Sequence, residues 1–387
     1  MIKTFVDQRK DLTHTELIDI NAFCLLMPGA TSTQTLTLIG YKRGGIKLAI
    51  FTLLIWIFPA VLIMSSFSLL ISSKFSSLFM SFFVYVLPMA LGFLLYAAIK
   101  SFISLKSRHL KLLSILSCTA TLLFFKSPWV FPVLLLIAVL SSFISPQVNN
   151  HPTTHPKRKI RWSLCFLFLS LFAFSAILSE SARINNWKER TVFNLSENMF
   201  RFGTIVFGGA DVLIPVMYEQ YVVRPTSKKV LIYNQSVIKI NAKDFLTGAG
   251  LVRAIPGPAF SISAYIGGLA MSNRGVLYQL FGCLLSAFFI FLPSAFLVLF
   301  FYPIWENLHK YAFLQNITTS INASVVGIMI ASFIYLSSDT IFSQFHHKDN
   351  TLFIFLSIIL STFLLLFYTR ISPAIIVLLC ILLGIIF

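Results

Sequence analysis

Charge is scarce in this sequence, and acid is scarcer than base. Only 11% of the 387 residues are charged, with 13 acidic against 30 basic side chains. Soluble domains carry about 25% charged residues, so a large water-exposed surface is excluded. Cysteine is also rare: Cys24, Cys118, Cys165, Cys283 and Cys380 mostly sit inside apolar runs. No CxxC pair or disulfide spacing is present, so they read as small packing residues. Nucleotide fingerprints, Walker loops, catalytic triads and metal-ligand spacings are missing too. His151 and His155 stand four apart, but in a proline-rich stretch, and read as spacer residues. These absences point away from an enzyme, from a cofactor and from a nucleotide-driven pump. The first 25 residues lack a basic-then-apolar leader, so no cleavable signal peptide is expected.

What is present is hydrophobic: 57% of the chain, in long runs. A helix needs about 20 apolar residues to span a bilayer. Ile46–Leu70, Phe79–Ile99, Trp162–Leu178, Met199–Val223, Val276–Phe301 and Ile317–Leu336 are the main runs. Leu110–Phe125, Val130–Ile144, Leu352–Phe367 and Pro373–Phe387 are shorter. The expected fold is all-α: a polytopic transmembrane helical protein of ten to twelve segments. The formal charge of +17 lies mainly in short loops between these runs. That is the pattern of cytoplasmic loops rather than of nucleic-acid binding. An integral protein of the bacterial inner (plasma) membrane is expected, with lipid as its first partner.

Two stretches do not suit a lipid-facing helix. Leu251–Gly268 holds Pro256-Gly257-Pro258, Arg253, Ser261, Ser263 and the pair Gly267-Gly268. Leu26–Gly45 holds Pro28-Gly29, Thr31, Ser32, Thr33, Gln34 and Gly40. Proline removes a backbone donor and glycine weakens a helix, so each stretch predicts a helix broken inside the membrane protein. The two anchor an internal duplication. Pro28-Gly29 matches Pro256-Gly257, Gly40 matches Gly267 or Gly268, Pro59 matches Pro293, Gly92 matches Gly327, and Pro128 matches Pro373, all in the same order. The expected division is a first membrane repeat over 1–145, a linker with an apolar helix at 162–178 and a polar surface segment over 146–198, and a second repeat over 199–387. Phe207-Gly208-Gly209 has no counterpart, because the same distance ahead of Pro28 falls before Met1. The first repeat is therefore expected to lack its opening helix.

Repeated membrane halves commonly hold substrate at their interface. Residues after each Pro-Gly are placed to open a helix, where free N–H groups and the dipole favour an anion. Pro258 suits a first turn. Hydroxyls of Thr31, Ser32, Thr33, Ser261 and Ser263, with Gln34, are candidate ligands; alternatively they bond their own backbone. Arg253 is either an anion partner and gate or an interfacial arginine. Lys42, Arg43 and Arg274 read as loop charges. Gly40, Gly208, Gly209, Gly267 and Gly268 are candidates for close helix packing or gating, and Pro59 and Pro293 for kinks. Asp211 and Glu219 are candidates for a coupling proton, with Asp211 weighted more because Glu219 lies near the end of its run.

Together these residues resemble the chromate ion transporter family. In the second half the resemblance rests on Phe207-Gly208-Gly209, Pro256-Gly257-Pro258, Tyr265, Gly267 and Pro293; in the first it rests on Pro28-Gly29, Thr33-Gln34, Gly40-Tyr41, Gly45 and Pro59. It departs at Pro28-Gly29-Ala30, where the second half has a second proline, and at the missing first-half FGG. The resemblance implies two homologous membrane halves and proton-gradient-dependent expulsion of chromate, an oxyanion like sulfate. A sulfate or other small-anion transporter, and a truncated membrane protein without transport, are the alternative expectations. Protons and a second copy of the chain complete the expected partners.

Overall fold

The computed structural model describes residues 12–72, 82–105, 107–124, 130–144, 162–207, 209–226, 230, 237–308, 312–344, 349–369 and 371–386. The sequence linker at 145–161 and Gly208 lie outside them. Fourteen α-helices run through the described residues.

The first, α1 (His14–Leu26), opens on a capping box: Glu16 N–H donates to Thr13 Oγ1 at 3.2 Å and Thr13 N–H to the Glu16 carboxylate at 2.9 Å. It stops at extended Met27 because the residue before a proline avoids helical ψ. Next come α2 (Thr31–Ser72), α3 (Val86–Ser104), α4 (Arg108–Phe124) and α5 (Val130–Ser141). Then α6 (Trp162–Ile184), α7 (Arg190–Ile205) and α8 (Ala210–Tyr218) precede the second half. That half contains α9 (Ala242–Leu251), α10 (Ile262–Met271), α11 (Val276–Leu308), α12 (Ala312–Gln344), α13 (Asp349–Tyr368) and α14 (Pro373–Ile386).

Five stretches among the described residues are long and apolar enough to cross a membrane: Thr31–Ser72, Val86–Ser104, Trp162–Ile184, Val276–Trp305 and Thr319–Ser338. The remaining helices are shorter or more polar, so part of the expected ten to twelve segments consists of short pieces. The polar stretch after Glu180 is not one surface helix. It closes α6, turns at residues 185–189 and begins α7, which buries Leu195, Met199, Phe200 and Phe202. The amphipathic spacing of those residues decides this, because a helix with one apolar face buries it.

The duplication is visible in the packing. Gly92 of α3 lies against Ile359 and Thr362 of α13, while Gly327 of α12 lies against Ser114, Ser117 and Cys118 of α4. Those glycines are matching landmarks, and α4 and α13 are the helices that follow them. Each half therefore takes its partner from the other half, and Ser117 and Ser324 hydroxyls bond across one such contact at 2.9 Å. A Cβ on Gly327 would stand 2.1 Å from the Ser114 carbonyl, so only glycine allows that approach. A further matching pair escaped the sequence reading. Gly45 (φ +64) and Gly275 (φ +96) each turn the chain between a short polar helix and a long apolar one.

Candidate functional site at three helix breaks

Three breaks are built alike, each on a glycine in the left-handed region that other residues avoid. Between α1 and α2 it is Gly29 (φ +115). Between α7 and α8 it is Gly209 (φ +80), which follows the extended Val206. Between α9 and α10 it is Gly257 (φ +139); Pro258 then caps a 3-10 turn, Ala259–Ser261, that runs into α10.

Tertiary packing brings the three together. Gly29 N–H donates to the Val206 carbonyl at 2.7 Å, tying the first break to the second. The second and third are joined by an ion pair, Arg253 Nη2 with Asp211 Oδ1, both groups about four-fifths buried. The 3-10 turn after Gly257 packs on α2, α8 and α11. The two Pro-Gly loops also cross between halves. A Cβ on Gly29 would meet Ser294 Oγ at 2.0 Å, and one on Gly257 would meet Ala60 Cβ at 2.6 Å. Ala60 follows Pro59 and Ser294 follows Pro293, so each loop rests on the proline-bearing helix of the other half. Ser294 and Ala60 were not singled out from sequence. The aligned IFPAVLI and FLPSAFL segments carried the signal, one residue beyond the prolines.

Polar groups without partners collect on these elements. Thr33 and Gln34 are 1% exposed, Ser261 and Ser263 are fully buried, and Ser294 is 1% exposed. Thr33 Oγ1, Gln34 Oε1 and the hydroxyls of Ser261, Ser263, Ser286 and Ser294 have no hydrogen-bond partner among the described residues. A buried polar group left unpaired costs about 1–3 kcal/mol. Neighbours of the same type are satisfied: Thr35 donates to Thr31 O at 2.9 Å, Thr37 to Thr33 O at 2.8 Å, and the Gln34 amide to Pro28 O at 2.6 Å. The hydroxyls thus differ: Thr35 and Thr37 bond their own backbone, whereas those of Thr33, Ser261 and Ser263 do not. The first intrahelical bond of α2 runs from Gln34 N–H to Ala30 O at 3.0 Å, so helix geometry leaves the N–H groups of Thr31, Ser32 and Thr33 outside the ladder. In the second copy Ser261 N–H donates to Pro258 O at 3.0 Å, leaving Ala259 and Phe260 in the same position.

The chromate transporter family model matches residues 1–143 and 193–385. The chain belongs to the chromate transporter family. Among curated proteins it is similar to an uncharacterized transporter of Methanocaldococcus jannaschii, at 24% identity over 341 residues, covering 84% of this chain and 76% of that protein. No solved structure matches the chain. The two matched stretches follow the two halves of this family member, and the stretch between them contains α6. That helix is peripheral, with 6% of its apolar window buried.

The other sequence-selected residues of this transporter occupy distinct places. Gly40 abuts Leu48 O and Thr52, and Gly267 abuts Gly282 O and Ser286, so each short polar helix is clamped to the long helix that follows it. Gly268 faces Ser68 across the halves and Cys283 within its own half. Pro293 is buried and lies against Gly203, whereas Pro59 is exposed; both sit within the long helices that follow Gly275 and Gly45. Lys42 pairs with Glu16 at 3.5 Å and Arg274 with Glu189 and the Lys188 carbonyl, while Arg43 is exposed. Asp211 is held by Arg253. Glu219, only 5% exposed, lines a cavity of about 40 Å³ with Arg201, Phe207, Val212, Gln220 and Ile328. Arg201 turns to Glu197 at 2.9 Å and to Asn198, and Arg224 donates to Gln220 at 3.1 Å.

Proposed function

We propose that this family member is a secondary exporter of chromate or a related tetrahedral oxyanion, and that the anion is held where the three broken helices meet. The observation that carries this reading is that the buried hydroxyls of Thr33, Ser261, Ser263 and Ser294, on elements beside the two helix openings, have no hydrogen-bond partner among the described residues. A dianion is costly to bury unpaired. Helix N–H groups and hydroxyls offer donors to its oxygens. Such a site reads size and charge rather than the central atom, so sulfate competes. In a bacterial plasma membrane with an inside-negative potential, outward movement of two charges gains about 4.6 kcal/mol at 100 mV.

The test is chromate flux into and out of proteoliposomes, with voltage and pH difference set separately. Flux above empty liposomes, reduced by excess sulfate, is expected. Flux equal to that of empty liposomes under every condition overturns the assignment.

Glu219 is the proposed proton carrier. Asp211 is engaged with Arg253, whereas Glu219 lines a mostly apolar cavity, with Arg201 and Gln220 its other polar neighbours, large enough for about one water. An ionised carboxylate is disfavoured in such a place, and protonation relieves it. Glu219→Gln is expected to keep voltage-driven flux within about threefold of the parent while losing its response to the pH difference. A variant that still follows the pH difference removes Glu219 from this role.

A further inference from the structure

Arg253 lies three residues before the Pro256-Gly257 break, and it is already occupied by a carboxylate. Asp211 stands in the first turn of α8, directly after the Gly209 break, and Arg253 in the turn that ends α9. The pair thus spans two of the three breaks around the oxyanion site. We propose that Asp211 is a built-in competitor for the transported anion at Arg253. In the unloaded protein its carboxylate takes the guanidinium; an incoming dianion displaces it, and its return helps release the anion. This inference rests on the oxyanion-site reading above.

The chemistry is an exchange of like for like. A guanidinium presents paired N–H donors that fit a carboxylate and a tetrahedral oxyanion equally well in shape. A dianion carries twice the charge and has more acceptor oxygens, so it can win the exchange while Asp211 remains tethered nearby. Placement on a break matters. Gly209 precedes the first turn of α8, and no described residue lies within 4 Å of where a Gly209 side chain would begin. The Asp211 carboxylate can therefore swing aside at the helix start while Val212 and Leu213 behind it stay packed. Partial burial, about four-fifths, suits the role as well. An exposed pair would be screened by solvent, and a sealed one could not be reached.

Competition reduces apparent affinity by the fraction of time that Arg253 is free. If the pair is closed about nine-tenths of the time, Asp211→Asn should tighten sulfate binding about tenfold. It should also slow chromate flux at saturation, because release loses its assistance. A simpler effect must be separated from this one, since removing a negative charge near any anion site also tightens binding. The two differ in their dependence on Arg253. Competition requires the arginine; repulsion does not.

The experiment is a double-mutant cycle on the purified full-length protein: parent, Asp211→Asn, Arg253→Gln and the double variant. Sulfate binding is measured by calorimetry and chromate flux in proteoliposomes, with melting curves confirming that each variant is folded. Asp211→Ser stands in if the asparagine variant does not fold. Tighter sulfate binding and slower saturated flux in the Asp211 variant, with no gain when Arg253 is absent, is the expected result. An equal gain in the Arg253→Gln background overturns competition in favour of repulsion. Unchanged or weaker binding in the Asp211 variant shows the pair to be a structural tie only. Absence of sulfate binding and of chromate flux in the parent protein overturns the oxyanion-site reading itself.

Discussion

Replacing Gly257 with alanine is expected to cut chromate flux about 100-fold, and Gly29→Ala at least as much. Two costs add. A Cβ in the left-handed region costs about 1–2 kcal/mol. The same atom would also stand 2.6 Å from Ala60 Cβ at Gly257, and 2.0 Å from Ser294 Oγ at Gly29. Overpacking of that kind costs about 1–3 kcal/mol. Roughly 3 kcal/mol falling on the transport cycle corresponds to about 100-fold in rate. Gly209→Ala provides the comparison, because it has φ +80 but no atom within 4 Å, and so carries the strain alone. It should lose about tenfold. Pairing Gly257→Ala with Ala60→Gly removes the collision and leaves the strain, so flux should recover to the Gly209→Ala level. Flux is compared at matched protein amounts. A Gly257→Ala protein that transports like the parent would show that the loop is not under this constraint.

The second large effect is at Arg253. Arg253→Leu should reduce chromate flux to the level of empty liposomes, while Arg253→Lys retains a measurable part. Leucine removes the cation and leaves Asp211 largely buried and unpaired, which costs more than the pair contributes. Lysine keeps the charge but loses the fork geometry that binds two oxygens at once. The stability component can be subtracted. Asp211→Asn in the Arg253→Leu background should raise the melting temperature without restoring flux. Equal flux from the leucine and lysine variants would take Arg253 out of the anion site.

Much of this architecture was legible from residue order. A chain that is 57% hydrophobic and 11% charged has to bury helices in lipid. The repeat could be read because glycine and proline leave marks that hydrophobic residues do not. A methylene-rich run tolerates exchange of Leu for Ile or Phe, whereas a positive φ at Gly29 and Gly257 or a close approach at Gly92 and Gly327 admits one residue type. The breaks at Pro28-Gly29 and Pro256-Gly257 were legible for the same reason. Their first turns follow from the missing proline N–H and from helix geometry.

The sequence by itself determined the class of the protein, its duplication and the positions where its helices break, because those depend on local chemistry: hydrophobic length, lost donors and allowed backbone angles. Tertiary structure alone decided which residues meet. Nothing in the order of residues says that Gly29 rests on Ser294, that Gly257 rests on Ala60, that Thr35 bonds its own backbone while Thr33 does not, or that Arg253 is taken by Asp211. The two glycine contacts and the ion pair join segments far apart in the chain, and the glycine contacts are set by how the two halves exchange partners. That exchange is a property of packing between whole helices, and many sequences with the same local signals could satisfy it in other registers.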